Sequence, residues 1–140
     1  MGHDRRYMYL LTTAQKRLRR RLEQQAESRA GISVVQAAAL FALLRQDGAL
    51  STELASQLDI APSAMTGLAD RMLRGGLLER RVDEQDRRIN RIWLTAHGRE
   101  VALTAQGELG PLNQSLTEGF SDDEMAVVSR WLAAVAERFG

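Results

Sequence analysis

Apolar residues recur at three- and four-residue steps along most of this chain and switch once, near its middle, to alternation. Tyr7, Leu10, Leu11, Ala14, Leu18 and Leu22 keep the helical step, which predicts a helix from about Asp4 to Arg29 with Gly31 as its C-terminal stop. Ser33-x-x-Gln36 is a capping-box pattern with Ile32 just outside it, so a second, alanine-rich helix is expected through Leu43 or Leu44, then a turn at Asp47-Gly48. Ser51 is the expected cap of a third helix, with Glu53 in its first turn and Leu54, Ala55 and Leu58 as its apolar face. Pro62 suits the first position of a fourth helix. Ala61 before it caps poorly, which leaves Ser63 to compensate. Met65, Leu68, Ala69 and Met72 hold the core spacing, and Ser63, Ala64, Thr66, Gly67, Asp70, Arg71 and Arg74 fall on the opposite face. Gly75-Gly76 ends the helix.

Leu77–Val82 and Ile89–Leu94 then read as two strands around the polar loop DEQDRR. Ile92 and Leu94 alternate with Arg91 and Trp93, as in a strand covered on one face. A long helix is expected from near Thr95, kinked or broken at Gly110-Pro111 because proline lacks the backbone donor and clashes with the preceding turn. Ser121-x-x-Glu124 forms a second capping box, with Phe120 and Met125 as a hydrophobic staple. The last helix runs towards Phe139 with Met125, Val128, Leu132, Val135 and Phe139 along one stripe. The predicted fold is mostly α with a small β-hairpin. Over residues 1–140 it forms one domain: a winged helix-turn-helix lobe at about 32–94, flanked by helical arms at about 4–30 and 95–139.

Two short helices, a tight turn and a hairpin tipped by Asp86-Arg87-Arg88 are what a chain needs to place one helix in a DNA major groove and an arginine in the adjoining minor groove. On that reading Ser63, Ala64, Thr66 and Gly67 face bases, Arg71 and Arg74 face phosphates, Arg87 and Arg88 reach from the loop, and Asp86 orients Arg88. The competing uses are plain ones. Surface arginines are often only solvated, Ser63 and Thr66 serve as first-turn capping groups, Asp86 is a turn residue, and Arg71 or Arg74 pairs with Asp70. Lys16-Arg17-Arg19-Arg20-Arg21 reads as a solvated face. Tyr7, Met8 and Tyr9 read as packing for a partner subunit.

Charge neither demands nor forbids nucleic acid. The net charge is +1, with nine basic and four acidic residues in 1–48, seven of each in 49–94, and three basic against seven acidic in 95–140. All seven basic residues of the middle segment are arginines at or after Arg71. Cysteine is absent, which removes disulfides, thiolate metal sites and thiol-based sensing. His3 and His97 are the only histidines, so no metal site and no cofactor are expected. No apolar run approaches the ~18 residues of a membrane span, and MGHDRRYMYLLTT lacks the apolar core of a secretory signal. The expected setting is the cytoplasm of a bacterium or archaeon, at the nucleoid. No catalytic residues are assigned: there is no phosphate-cradling glycine loop and no recognisable carboxylate pair, so an enzyme is not expected.

The stretches LSTELASQLDIAPSAMTGLADRMLRGGLLER (Leu50–Arg80) and DEQDRRINRIWLTAHGRE (Asp83–Glu100) resemble the MarR family of winged helix-turn-helix transcription regulators. The second carries the family's wing signature, Asp-x-Arg followed six residues later by Leu-Thr, on Asp86, Arg88, Leu94 and Thr95. The resemblance implies a homodimer made by the first, fifth and sixth helices, on a pseudo-palindromic double-stranded operator with half-sites roughly 34–36 Å apart. It implies that the arginine matching Arg88 enters the minor groove, oriented by the aspartate matching Asp86. It further implies a repressor released by a small aromatic or anionic effector bound between the dimerisation helices and the DNA-binding lobe. Gly67 stands where many relatives carry a base-contacting arginine, Gly75 where a basic residue is common, and Pro111 is atypical in the long helix. Those departures, with the neutral middle segment, motivate the alternative of a winged-helix protein-interaction module without specific DNA binding.

Overall fold

The computed structural model describes the backbone of residues 2–29 and 31–140 and the side chains of 2–24 and 31–140. The described elements run α1 (Tyr7–Arg29), α2 (Val34–Arg45), α3 (Ser51–Leu58), α4 (Pro62–Arg74), β1 (Leu78–Val82), β2 (Asn90–Leu94), α5 (Ala96–Gly107), α6 (Leu109–Thr117) and α7 (Asp122–Phe139). They pack as two compact units, Met1–Ala105 and Gln106–Gly140.

The core of the first unit is built from the predicted faces. Leu40 and Leu43 of α2, Leu54 of α3, Met65, Leu68 and Met72 of α4, and Ile92 of β2 are fully buried. β1 and β2 pair antiparallel with Leu78 opposite Leu94 and Arg80 opposite Ile92. On its other side Ile92 donates its N–H to the Ala49 carbonyl at 2.9 Å. The hairpin is thereby fastened to the segment that enters α3.

Both capping boxes form, Ser33 with Gln36 and Ser121 with Glu124. Ser51 does not cap α3. The N-cap is Leu50, whose N–H donates to Glu53 Oε1 at 3.2 Å, and Ser51 is the first helical residue. Nor does Ser63 compensate for Ala61, since the start of α4 has no side-chain cap. α1 begins at Tyr7 rather than Asp4, because the Asp4 carboxylate turns back to accept from the Arg6 backbone N–H at 2.9 Å.

The strands begin one residue later than predicted for a physical reason. Leu77 N–H closes α4 on the Met72 carbonyl at 3.0 Å, and Ile89 N–H closes the loop on the Asp86 carbonyl at 3.0 Å. The long helix breaks at Glu108, three residues before Pro111. A proline removes the hydrogen bond to the carbonyl four residues earlier, here Gly107, the last residue of α5.

Candidate nucleic-acid interface

The interface begins with how α4 is held. Asp59 adopts the left-handed conformation, φ 53°, and ends α3 with paired bonds from Asp59 N–H to the Ser56 carbonyl and from Ile60 N–H to the Ala55 carbonyl. A sharp turn of this kind sets the angle between α3 and α4. α4 ends the same way: Gly76, φ 73°, donates to Leu73 and Leu77 donates to Met72. Its apolar face is buried, and Ser63, Ala64, Thr66, Arg71 and Arg74 are exposed, with Gly67 half-buried.

Asp70 takes a partner that sequence reasoning did not foresee. Arg80 of β1 donates to Asp70 Oδ1 at 3.0 Å, tying α4 to the hairpin. Arg71 and Arg74 therefore keep their charges without a carboxylate partner among the described residues, and the expected competitor pairing with Asp70 is absent. The Thr66 hydroxyl donates to the Pro62 carbonyl at 3.1 Å, leaving its oxygen lone pairs as acceptors.

The loop of the hairpin is organised by two aspartates. Asp86 receives a forked pair from Arg88, Nε to Oδ1 at 3.0 Å and Nη2 to Oδ2 at 3.1 Å, and also the Arg88 backbone N–H at 3.1 Å. The Arg88 side chain is nonetheless 90% exposed, so it is aimed rather than packed. Hydrogen bonds from Arg88 hold the Asp86 carboxyl below the usual carboxylate range, and the same contact raises the Arg88 guanidinium above its ordinary value. Arg87 is exposed, with no ion pair among the described residues.

Asp83 and Arg91 were missed as a pair. Arg91 Nε donates to Asp83 Oδ2 at 2.7 Å, its Nη1 donates to the Gly48 carbonyl at 3.0 Å, and Asp83 Oδ1 accepts from Gln85 N–H at 2.8 Å. The Arg91 bond, then the Gln85 N–H, holds the Asp83 carboxyl below its ordinary value. An aspartate opening a polar loop is itself a turn signal; its arginine partner eight residues on carries no local signature.

Asp47 completes the frame. It accepts from Leu94 N–H at 2.9 Å and from Arg99 Nη2 at 3.1 Å. Thr95 caps α5 by accepting from Gly98 N–H at 2.9 Å and donates to the Gly76 carbonyl at 2.6 Å. Trp93 stacks under Arg81, whose guanidinium lies 4.8 Å from the ring centre, and rests on Gly48.

A groove of about 460 Å³ opens between α1, α2 and the α3–α4 turn. Leu18, Val35, Leu58 and Ile60 give it apolar walls, and Gln15, Arg19 and Asp59 supply polar groups. Among the described residues no group of three or more metal-binding side chains occurs, and no helix is long and apolar enough to cross a membrane.

The sequence model of the MarR family matches residues 30–89, the stretch that holds α2, α3, α4, β1 and the arginine-tipped loop. Over that stretch the chain is similar to the MarR family. An 80-residue stretch is 32% identical to the uncharacterized HTH-type transcriptional regulator YsmB of Bacillus subtilis (strain 168). That stretch is 57% of this chain and 55% of YsmB, about half of the relative's length. The fold matches that of S. aureus MepR in its DNA complex, with TM-score 0.85, 23% identity, and 96% of each chain covered. It also matches PcaV of Streptomyces coelicolor in complex with its natural ligand, with TM-score 0.85, 23% identity, and 100% and 99% of the two chains covered. The MarR family is one of transcription regulators, not enzymes. Its helix-turn-helix corresponds here to α3 and α4, and its wing to β1, β2 and the loop between them.

Proposed function

We propose that this chain is a sequence-specific DNA-binding transcription regulator. It acts as a homodimeric repressor that leaves a pseudo-palindromic operator when a small aromatic or anionic effector binds. One observation carries the DNA-binding part: Arg88 is 90% exposed and yet held in a forked contact with Asp86. A free guanidinium pays rotamer entropy on binding, whereas this one is already ordered. A narrow minor groove attracts such a cation, and α4 brings Arg71 and Arg74 to the phosphates while Ser63, Ala64, Thr66 and Gly67 approach base edges.

The zero net charge of residues 49–94 does not weigh against this reading. Asp70, Glu79, Asp83 and Asp86 are each engaged by an arginine; of the charges left, Arg71 and Arg74 lie on α4, whereas the acids Glu53, Asp59 and Glu84 all lie outside it. The groove beside the α3–α4 turn, with Gln15, Arg19 and Asp59 among apolar residues, offers a place for a small aromatic effector. MepR in its DNA complex and PcaV with its natural ligand share the fold and support both halves of the proposal.

Fluorescence anisotropy against a labelled duplex from the gene's own promoter region tests it. The expected result is binding that survives excess unrelated DNA and weakens steeply with salt. Weak, sequence-blind binding at physiological salt would instead favour a winged-helix protein-interaction module.

A further inference from the structure

α4 is short of long polar side chains in its first two turns: Ser63, Ala64, Thr66 and Gly67 are the exposed or half-buried residues there that sequence reading turned towards bases. None of them presents two donors in a fixed fork, the feature that recognises guanine O6 and N7 together. The structure places such a fork at that level from one turn further along. A methyl group built on Gly67 would lie 3.5 Å from Arg71 Nη1, so the Arg71 guanidinium lies over the Gly67 backbone. Helical side chains lean towards the N-terminus, and four residues of helix carry the charge back by about 6 Å.

Three further facts keep that guanidinium available. Asp70, the nearest carboxylate in sequence, is taken by Arg80. The Arg71 guanidinium makes no ion pair or hydrogen bond among the described residues. Gly67 has no side chain to displace it, and the 3.5 Å approach puts the guanidinium in van der Waals reach of that position.

We propose that Arg71 reads a guanine in each operator half-site, and that the missing side chain at Gly67 is what lets it lie there. The inference rests on the DNA-binding reading above and departs from the assignment of Arg71 to phosphate. Gly67 is then a specificity-determining residue through the space it leaves, and Arg71 is the group that touches the base.

Selection from a random duplex library tests this with the full chain. Wild-type protein is expected to enrich a motif with a guanine at one symmetric position in each half. Arg71→Ala and Arg71→Lys should both lose preference at that position alone, by about 5- to 150-fold, the range for a forked arginine–guanine contact. Lysine keeps the charge and lacks the fork, so a phosphate role would leave Arg71→Lys with the wild-type motif. Gly67→Leu, which fills the space without touching the charge, should lose the same position. Arg74→Ala should lower affinity across all sequences. Replacing the guanine by 7-deazaguanine should weaken wild type and leave Arg71→Ala unchanged.

The proposal is overturned if Arg71→Lys and Gly67→Leu select the wild-type motif, or if 7-deazaguanine weakens Arg71→Ala as much as wild type. Should Arg71→Ala unfold, the motifs selected by Arg71→Lys and Gly67→Leu decide the matter without it. A wild-type protein that enriches no motif would sink the DNA-binding reading itself, a separate outcome from the first two.

Discussion

Arg88 and Asp86 divide one task. The carboxylate accepts from both the guanidinium and the backbone N–H of Arg88, so the side chain leaves the loop in a direction set before any partner arrives. Arg88→Ala should weaken operator binding by ~1–3 kcal/mol and flatten the salt dependence by about one unit of slope, read by anisotropy titrations at several salt concentrations. Unchanged affinity and slope would remove Arg88 from the contact set. Asp83 works one layer behind, joining loop, β2 and the Gly48 carbonyl through Arg91. Its carboxyl is lowered in the folded protein, so its contribution to stability is complete above the ordinary aspartate value of about 3.9 and is lost as pH falls through the lower folded value. Carboxyl NMR should show Asp83 and Asp86 titrating below the ordinary aspartate value of about 3.9. An Asp83 titrating at that value would disprove the Arg91 contact in solution.

Helix boundaries followed the sequence wherever a side chain caps its own helix, and failed wherever the constraint came from elsewhere. Ser33-x-x-Gln36 and Ser121-x-x-Glu124 are local and were read correctly. Ser51 was misread because serine looks like a cap in isolation, while here Glu53 secures Leu50 instead. The φ of 53° at Asp59 is demanded by the turn and tolerated by aspartate better than by most residues. The exposed face of α4 was legible from helical spacing, and the Asp86–Arg88 pair from the resemblance of its loop to the family's wing signature. Arg80 on Asp70, Arg91 on Asp83 and Arg99 on Asp47 were not, because each joins different elements.

Three substitutions test the backbone geometry. Asp59→Val should destabilise by roughly 1–2 kcal/mol in urea unfolding, because a β-branched residue resists the left-handed region, and Asp59→Gly should not. Gly98→Ala should cost about 1–3 kcal/mol or more, since its methyl would meet the backbone carbonyl of Leu77. Equal stability of Asp59→Val or of Gly98→Ala with wild type would contradict the corresponding backbone geometry.

Beyond the core, the chain leaves apolar surface that one copy does not cover. On α1, Tyr7, Met8, Tyr9 and Leu10 are exposed, and on α7 so are Val128, Leu132 and Phe139, three of the five residues of the predicted stripe. Aromatic and aliphatic groups in such runs mark association surfaces. Sedimentation at micromolar concentration should therefore give a dimer of the 15.6 kDa chain, and a stable monomer would refute the paired arrangement that a pseudo-palindrome needs. The seating of the wing offers a different handle. Trp93 is one of two tryptophans, pressed so closely on Gly48 that even a methyl there would come within 2.5 Å of its ring, and roofed by a cation. Indole emission responds to both solvent and nearby charge, so once Trp131 is replaced by phenylalanine the protein carries a built-in fluorophore at the root of the hairpin. Its colour would report, without any attached dye, when an effector or a duplex loosens the wing from the rest.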